Sequence, residues 1–170
     1  YRGHKLNLHY SLSNYSPRYA SNMIPQNGYE IKVDIAVEKN DFDPKFEISE
    51  EYGTLSLKFS NHDTQRLNLG LKKNFSIFPK KRIVYNQSLN LGYLTNKDID
   101  DFFYFFGGGM TGIKGYTFYE ESLSGTQLFS STSSFALPLF LEKNYRVAHL
   151  IVQNLSVNYI FQSGGVDFDN

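Results

Sequence analysis

The sequence predicts an all-β fold with antiparallel strands, and three observations favour it. Apolar and polar residues alternate in several segments, and strands produce this period of two whereas helices repeat every 3.6 residues. The 170 residues include 15 Phe and 13 Tyr, two residue types that are enriched in strands. No segment shows a convincing helical repeat. These observations are compatible with a transmembrane β-barrel and with a soluble β-sandwich.

About seven strands are predicted from the alternation. The clearest covers residues 28–38, where Ile31, Val33, Ile35 and Val37 alternate mainly with charged residues. Its length matches the roughly 9–11 residues with which a tilted strand crosses a bilayer. The other predicted strands are 5–12, 54–59, 67–77, 83–93, 126–138 and 155–161, with a turn around His62 and a weaker, Ser-rich pattern in 126–138.

The predicted connections differ greatly in length. Pro79-Lys80-Lys81 predicts a tight turn, whereas about thirty residues, from about 95 to 125, form one loop. A loop of that length is generally functional. Short turns at one end and long loops at the other are typical of outer-membrane barrels, but a β-sandwich with one long binding loop is also compatible. Because the pattern is already under way at Tyr1, we expect residues 1–170 to be part of one domain of a longer protein.

Composition and motifs argue against several function classes. Seventeen Lys and Arg balance seventeen Asp and Glu, so no basic surface favours nucleic acid. The chain has no Cys, which excludes disulfides and thiolate chemistry, and its four His lack metal-ligand spacing. It has no nucleophile elbow or phosphate-binding loop, so we expect no enzyme activity, cofactor or metal. It also lacks the roughly 20 apolar residues of a spanning helix, although barrel strands are less apolar on average.

The long loop and the strands after it carry a recognisable set of motifs. Three glycines at 107–109 precede Ile113-Lys114-Gly115-Tyr116, and the next strand ends Phe135-Ala136-Leu137-Pro138-Leu139. Gly164-Gly165 follows in the last strand. This combination resembles the bacterial surface-antigen outer-membrane barrels, the BamA-like superfamily. Within it, the chain is most similar to members that carry an N-terminal TolB-like β-propeller, which are frequent in the Bacteroidetes.

The resemblance implies an antiparallel transmembrane β-barrel in the bacterial outer membrane. The predicted strands would be numbers seven to thirteen of sixteen, and the loop at about 95–125 would fold into the lumen. The implied partners are outer-membrane lipid and other envelope proteins. The implied function is insertion, secretion or transport of protein or lipid, or that of a barrel subunit in an envelope complex. The lumen-loop motif comprises Gly107, Gly108, Gly109, Gly112, Ile113, Lys114, Gly115 and Tyr116.

The loop tip departs from the family pattern. The family has Arg where this chain has Lys114, and the acids that meet this Arg correspond here to Ser133 or Ser134 and to Gln162. Lys lacks the fork that binds a carboxylate through two parallel bonds. We therefore expect the Lys114 ammonium to donate hydrogen bonds to Gln162 and to one of the two serines. The alternative remains an exported soluble β-sandwich that binds a ligand through its Gly- and aromatic-rich loop.

Overall fold

The computed structural model describes residues 2–15, 26–48, 53, 55–96, 99, 101–109, 112–141 and 143–167. Residues 97, 98, 100, 110 and 111 of the predicted loop lie outside these residues. None of the described helical segments is long and apolar enough to cross a membrane. The described strands are Arg2–Tyr15 (β1), Gly28–Ile48 (β2), Leu55–Phe78 (β3), Ile83–Leu94 (β4), Phe105–Phe106 (β5), Ser124–Gly125 (β6), Gln127–Phe140 (β7), Tyr145–Val147 (β8), Leu150–Val152 (β9) and Leu155–Val166 (β10).

Six long strands form one antiparallel sheet in the order β1-β2-β3-β4-β7-β10. Long strands that are consecutive along the chain are also neighbours in the sheet. The short strands form two separate hairpins. The β5–β6 hairpin lies within the connection from β4 to β7, and the β8–β9 hairpin lies between β7 and β10. The prediction of an all-β, antiparallel fold is therefore confirmed.

The sheet contains six strands rather than the predicted seven. The alternation predicts separate strands over residues 54–59 and 67–77, but β3 runs without a break from Leu55 to Phe78. The predicted turn at His62 is wrong, because this residue pairs with Asn40 of β2. Residues 60–66 are mostly polar, so the alternation disappears there. The backbone ladder continues because its hydrogen bonds do not depend on side-chain polarity.

The predicted tight turn is confirmed. Pro79–Lys81 forms a single 3₁₀ turn, and the backbone N–H of Arg82 donates to the carbonyl of Pro79 at 3.1 Å. Arg82 has a φ of 54°. This turn lies at the same end of the sheet as the β7–β10 connection, and we call it the turn end. The long connection between β4 and β7 lies at the opposite end, which we call the loop end.

One face of the sheet is apolar and open. We call it the apolar face: it carries the even-numbered residues of β1, the odd-numbered residues of β2 before its bulge at residues 42–44, and the odd-numbered residues of β3, β4, β7 and β10, because side chains alternate along a strand. The register aligns Leu8, Ile35, Leu67 and Tyr93 in one row across four strands. These four side chains are 39–63% exposed, so none of the described elements covers this row.

A polar strip interrupts the apolar face. Gln87 donates from Nε2 to Ser131 Oγ at 2.8 Å and accepts on Oε1 from Ser133 Oγ at 2.6 Å. Lys73 lies in the same row, and its Nζ is 5.5 Å from the ring centre of Tyr29. Both polar atoms of the Gln87 amide therefore form hydrogen bonds with side chains of the same sheet.

The opposite face, the polar face, carries the ion pairs. Lys32 Nζ lies 2.9 Å from Glu30 Oε1, and His9 pairs with Asp34. The only cluster of buried apolar residues among those described also lies on this side, at the loop end. It consists of Leu94, Ile99, Phe103 and Phe105, with Tyr104 and Leu128 packed against it. The core therefore forms between the sheet and the long loop.

Candidate functional site

The connection from β4 to β7 is a folded double layer. Its outgoing arm contains β5 and its returning arm contains β6, and the two pair antiparallel. The arms stay joined beyond these strands. Gly107 N–H donates to the carbonyl of Leu123 at 2.8 Å, and Gly109 N–H donates to that of Tyr116 at 3.1 Å. Such backbone bonds hold the connection as a compact hairpin, which we call the folded loop.

The glycines of the motif let the two arms and the tip approach closely. A Cβ on Gly112 would lie 2.2 Å from the carbonyl oxygen of Gly107, and one on Gly108 would lie 2.0 Å from that of Thr117. Gly115 at the tip has a φ of +96°, which only glycine adopts without cost. The tip then turns back so that Ile113 N–H donates to Gly107 O at 2.7 Å.

The folded loop lies on the polar face and contacts two glycines of the sheet. Ile113 is only 8% exposed, and its Cδ1 would lie 2.6 Å from a Cβ on Gly164 of β10. Phe105 lies over Gly92 of β4, where a Cβ would come within 2.9 Å of its ring. The sheet thus offers two positions without side chains on which apolar residues of the loop pack.

Gln162 of β10 binds the loop tip. Its Oε1 accepts a hydrogen bond from the backbone N–H of Lys114 at 3.1 Å, so the donor of this bond is the backbone rather than the expected ammonium. Gln162 Nε2 in turn donates to Thr132 Oγ1 of β7 at 3.2 Å. No sequence pattern indicated Thr132, although it occupies the pairing position directly opposite Gln162.

The two candidate serines lie on opposite faces of β7. Ser134 shares the polar face with Thr132 and pairs in register with Ile160. Ser133 lies on the apolar face, where Tyr85 OH donates to its Oγ at 3.1 Å. Because the folded loop occupies the polar face, the expectation that either serine could meet the tip is corrected for Ser133. Only Ser134 is on the same side of the sheet as the loop.

Arg66 of β3 fixes the base of the outgoing arm. Its Nη2 donates to the carbonyl of Phe103 at 2.5 Å, and its guanidinium carbon lies 4.8 Å from the ring centre of Phe105. The carbonyl satisfies one guanidinium donor while the ring face attracts the positive charge. The sequence pattern did not indicate this residue, because only the fold brings position 66 under residues 103 and 105.

Asp167 fixes the end of the returning arm. Its Oδ1 accepts from Thr126 N–H at 2.8 Å, from Thr126 Oγ1 at 3.0 Å and from Gln127 N–H at 2.9 Å. The backbone N–H of Asp167 donates to the carbonyl of Gln127 at 3.1 Å. The carboxylate therefore joins the residue after β10 to the point where the loop enters β7, and no sequence motif pointed to it.

The outer side of the folded loop carries an aromatic cluster. The Phe106 ring centre lies 5.8 Å from that of Phe118 and 5.2 Å from that of Tyr119, and the last pair meets edge to face. Phe118 and Tyr119 remain 50% and 74% exposed. The cavity beside these rings measures about 460 Å³, which is within the usual size range of small-molecule sites. Its lining residues are Arg66, Asp101, Phe102, Tyr104, Phe106, Phe118 and Tyr119.

No family model matches this chain, and no curated protein or solved structure is significantly similar to it. Within the described ranges, no group of three or more His, Asp or Glu is placed to hold a metal ion. The arrangement holds a folded segment against one face of a sheet through backbone bonds, two glycine positions, Gln162 and Asp167. Its function is therefore inferred from this geometry.

Proposed function

We propose that this chain is part of the wall of an outer-membrane β-barrel of the surface-antigen type. Such a barrel takes part in insertion, secretion or transport of protein or lipid, or serves as a subunit of an envelope complex. One observation carries the proposal: the two faces of the sheet differ in polarity and in what covers them. The polar face carries ion pairs and the folded loop, whereas large apolar side chains of the other face remain exposed.

The height of the apolar face supports this proposal. On β3 the longest run of odd-numbered residues that are apolar, apart from Lys73, extends from Leu67 to Ile77, which corresponds to about 34 Å along the strand. At a barrel tilt of about 40° the same span is about 26 Å high, close to the apolar band of roughly 25 Å in outer-membrane barrels. Lys73 lies one residue from the middle of this span, where a cation on the lipid side costs about 2–4 kcal/mol. Its Nζ lies 5.5 Å from the ring centre of Tyr29, and the attraction of the ring for the positive charge offsets part of this cost.

An aromatic row near the turn end also supports it. Phe75, Tyr85, Phe135 and Tyr159 align across four strands of the apolar face. The ring centres of Phe75 and Tyr85 are 6.2 Å apart, and those of Tyr85 and Phe135 are 4.8 Å apart. Girdles of aromatic residues flank the apolar band of outer-membrane barrels. We therefore assign this row to a membrane interface, and the short turn at Pro79–Lys81 indicates that it is the periplasmic one.

The proposal requires further strands on both sides of the sheet. β1 and β10 are its edge strands, and each unpaired backbone group in the hydrocarbon costs several kcal/mol. If the loop keeps its position in the family, the six strands become numbers eight to thirteen of sixteen. The folded loop then lies in the lumen and fills part of it.

Cysteine labelling tests which face contacts lipid. The segment has no Cys, so the single variants Val33→Cys and Asp34→Cys of the full-length protein can be compared in intact outer membrane. We expect a water-soluble maleimide to react with the thiol at position 34 on the polar face and not with the thiol at position 33 on the apolar face. Equal reaction at both positions would refute the membrane proposal.

The aromatic cavity favours a second candidate, ligand binding by the folded loop of an exported β-sandwich. Aromatic walls with a few polar groups are typical of small-molecule sites, and Arg66 and Asp101 supply such groups here. A sandwich requires a second sheet over the apolar face. A protein that stays monomeric without detergent, and whose thiol at position 33 is still protected in aqueous buffer by a second sheet, would favour this candidate.

A further inference from the structure

A basic cavity lies at the turn end, between the β3–β4 turn and the end of β7. It measures about 340 Å³. Three consecutive cations of the turn form one side of it, and an apolar segment of β7 and the residue after it form the other. The lining residues are Lys80, Lys81, Arg82, Pro138, Leu139, Phe140 and Leu141.

The charged side chains among the described lining residues are all cations. Lys80 and Lys81 are exposed, and no acidic residue is among the described residues that line the cavity. Glu142 follows Leu141 in the sequence and lies outside the described residues. Because the whole chain has no net charge, the attraction for an anion comes from this cluster of cations.

The apolar side of the cavity continues the apolar face. Leu139 follows Leu137 along β7 and is 62% exposed, and Ile77 and Phe78 before the turn are 43% and 57% exposed. Cations therefore stand where the apolar surface ends. A matching ligand has an anionic group attached directly to hydrocarbon.

We propose that this cavity binds an anionic phospholipid, with the phosphate at the exposed Lys80 and Lys81 and an acyl chain along Leu139 on the apolar face. The inference rests on the proposed barrel, because only a membrane wall places this surface against lipid. Basic residues at a membrane surface attract anionic lipid with about 1 kcal/mol each. Because 1.4 kcal/mol corresponds to a tenfold change in the dissociation constant, the loss of one lysine should weaken lipid binding by about fivefold.

The test is lipid selectivity of the full-length protein. It is reconstituted in nanodiscs that contain phosphatidylcholine with a minor fraction of phosphatidylglycerol, and bound lipids are counted by native mass spectrometry. We expect phosphatidylglycerol to be enriched on the protein. The double variant Lys80→Gln, Lys81→Gln should lower this preference by about 25-fold. The control Lys32→Gln, Lys72→Gln removes the same amount of charge from the polar face. This control should retain the preference for phosphatidylglycerol.

Three outcomes overturn the inference. The first is a protein that inserts into nanodiscs but shows no preference for phosphatidylglycerol. The second is an equal loss of this preference in both double variants. The third is full displacement of the lipid by glycerol 1-phosphate, which would show a phosphate site without an acyl-chain contribution. A protein that fails to insert at all contradicts the proposed barrel itself, so the two failures are distinguishable.

Discussion

Replacing Asp167 by Ala should release the returning arm of the folded loop. Oδ1 of Asp167 accepts three hydrogen bonds, two of them from the backbone N–H groups of Thr126 and Gln127. Hydrogen bonds to a charged group contribute about 1.5–3 kcal/mol each, and an unsatisfied buried donor costs about 1–3 kcal/mol. Thr126 is only 6% exposed, so water does not readily replace the lost carboxylate.

These contributions do not add fully, because the three bonds share one acceptor. We expect a loss of about 3 kcal/mol, which raises the equilibrium constant for loop opening by about 150-fold. Asp167→Asn keeps an oxygen acceptor without its charge. Since charge-assisted bonds are about twice as strong as neutral ones, this variant should lie between the wild type and Asp167→Ala.

Hydrogen–deuterium exchange of the full-length protein in nanodiscs measures this opening through peptides that cover residues 119–128. Asp34→Ala is the matched control, because Asp34 is also a carboxylate of the polar face but pairs with His9 rather than with the loop. Its exchange in 119–128 should equal that of the wild type. If Asp167→Ala also leaves the exchange of Thr126 and Gln127 unchanged, the carboxylate does not hold the loop.

Two further predictions concern the tip. Gln162→Ala should speed proteolysis between residues 112 and 119 by about tenfold in the full-length protein, because it removes the acceptor of the Lys114 N–H and a hydrogen bond contributes about 1 kcal/mol or more. Lys114→Ala keeps this backbone donor and should change cleavage less, so the reverse order would contradict the geometry. Gly164→Ala should also loosen the tip, because the new Cβ would lie 2.6 Å from Ile113 Cδ1 and 2.5 Å from Phe129 O. Unchanged cleavage in that variant would show that Ile113 does not pack on Gly164.

The sequence predicted strands well where each face has its own polarity. β2 is the best case, because Ile31, Val33 and Ile35 belong to the apolar face and the charged residues between them to the polar face. The alternation could not predict the continuation of β3 through residues 60–66, where both faces are polar and only pairing with β2 reveals the strand.

The sequence indicated the residues of the folded loop but not the residues of the sheet that contact it. The glycines and Ile113 indicated a tightly folded loop, but Ser133 and Ser134 could not be told apart in a Ser-rich segment whose alternation is weak. Pairing of β7 with β4 and β10 decides which serine faces the loop. Asp167 accepts a hydrogen bond from Thr126, which lies 41 residues earlier in the sequence. No local sequence pattern indicates a contact between residues so far apart.

The dependence of the folded loop on β10 sets an order of events during folding. Gln162 of β10 and Asp167, the residue after it, contact the loop from a part of the chain that is synthesised later, and the contact from Lys114 to Gln162 spans 48 residues. Contacts of such long sequence separation form late because closing the intervening chain costs entropy. The tip and the end of the returning arm can therefore reach their final positions only after β10 has joined β7, whereas the contacts of Arg66 and Gly92 with the outgoing arm do not require β10.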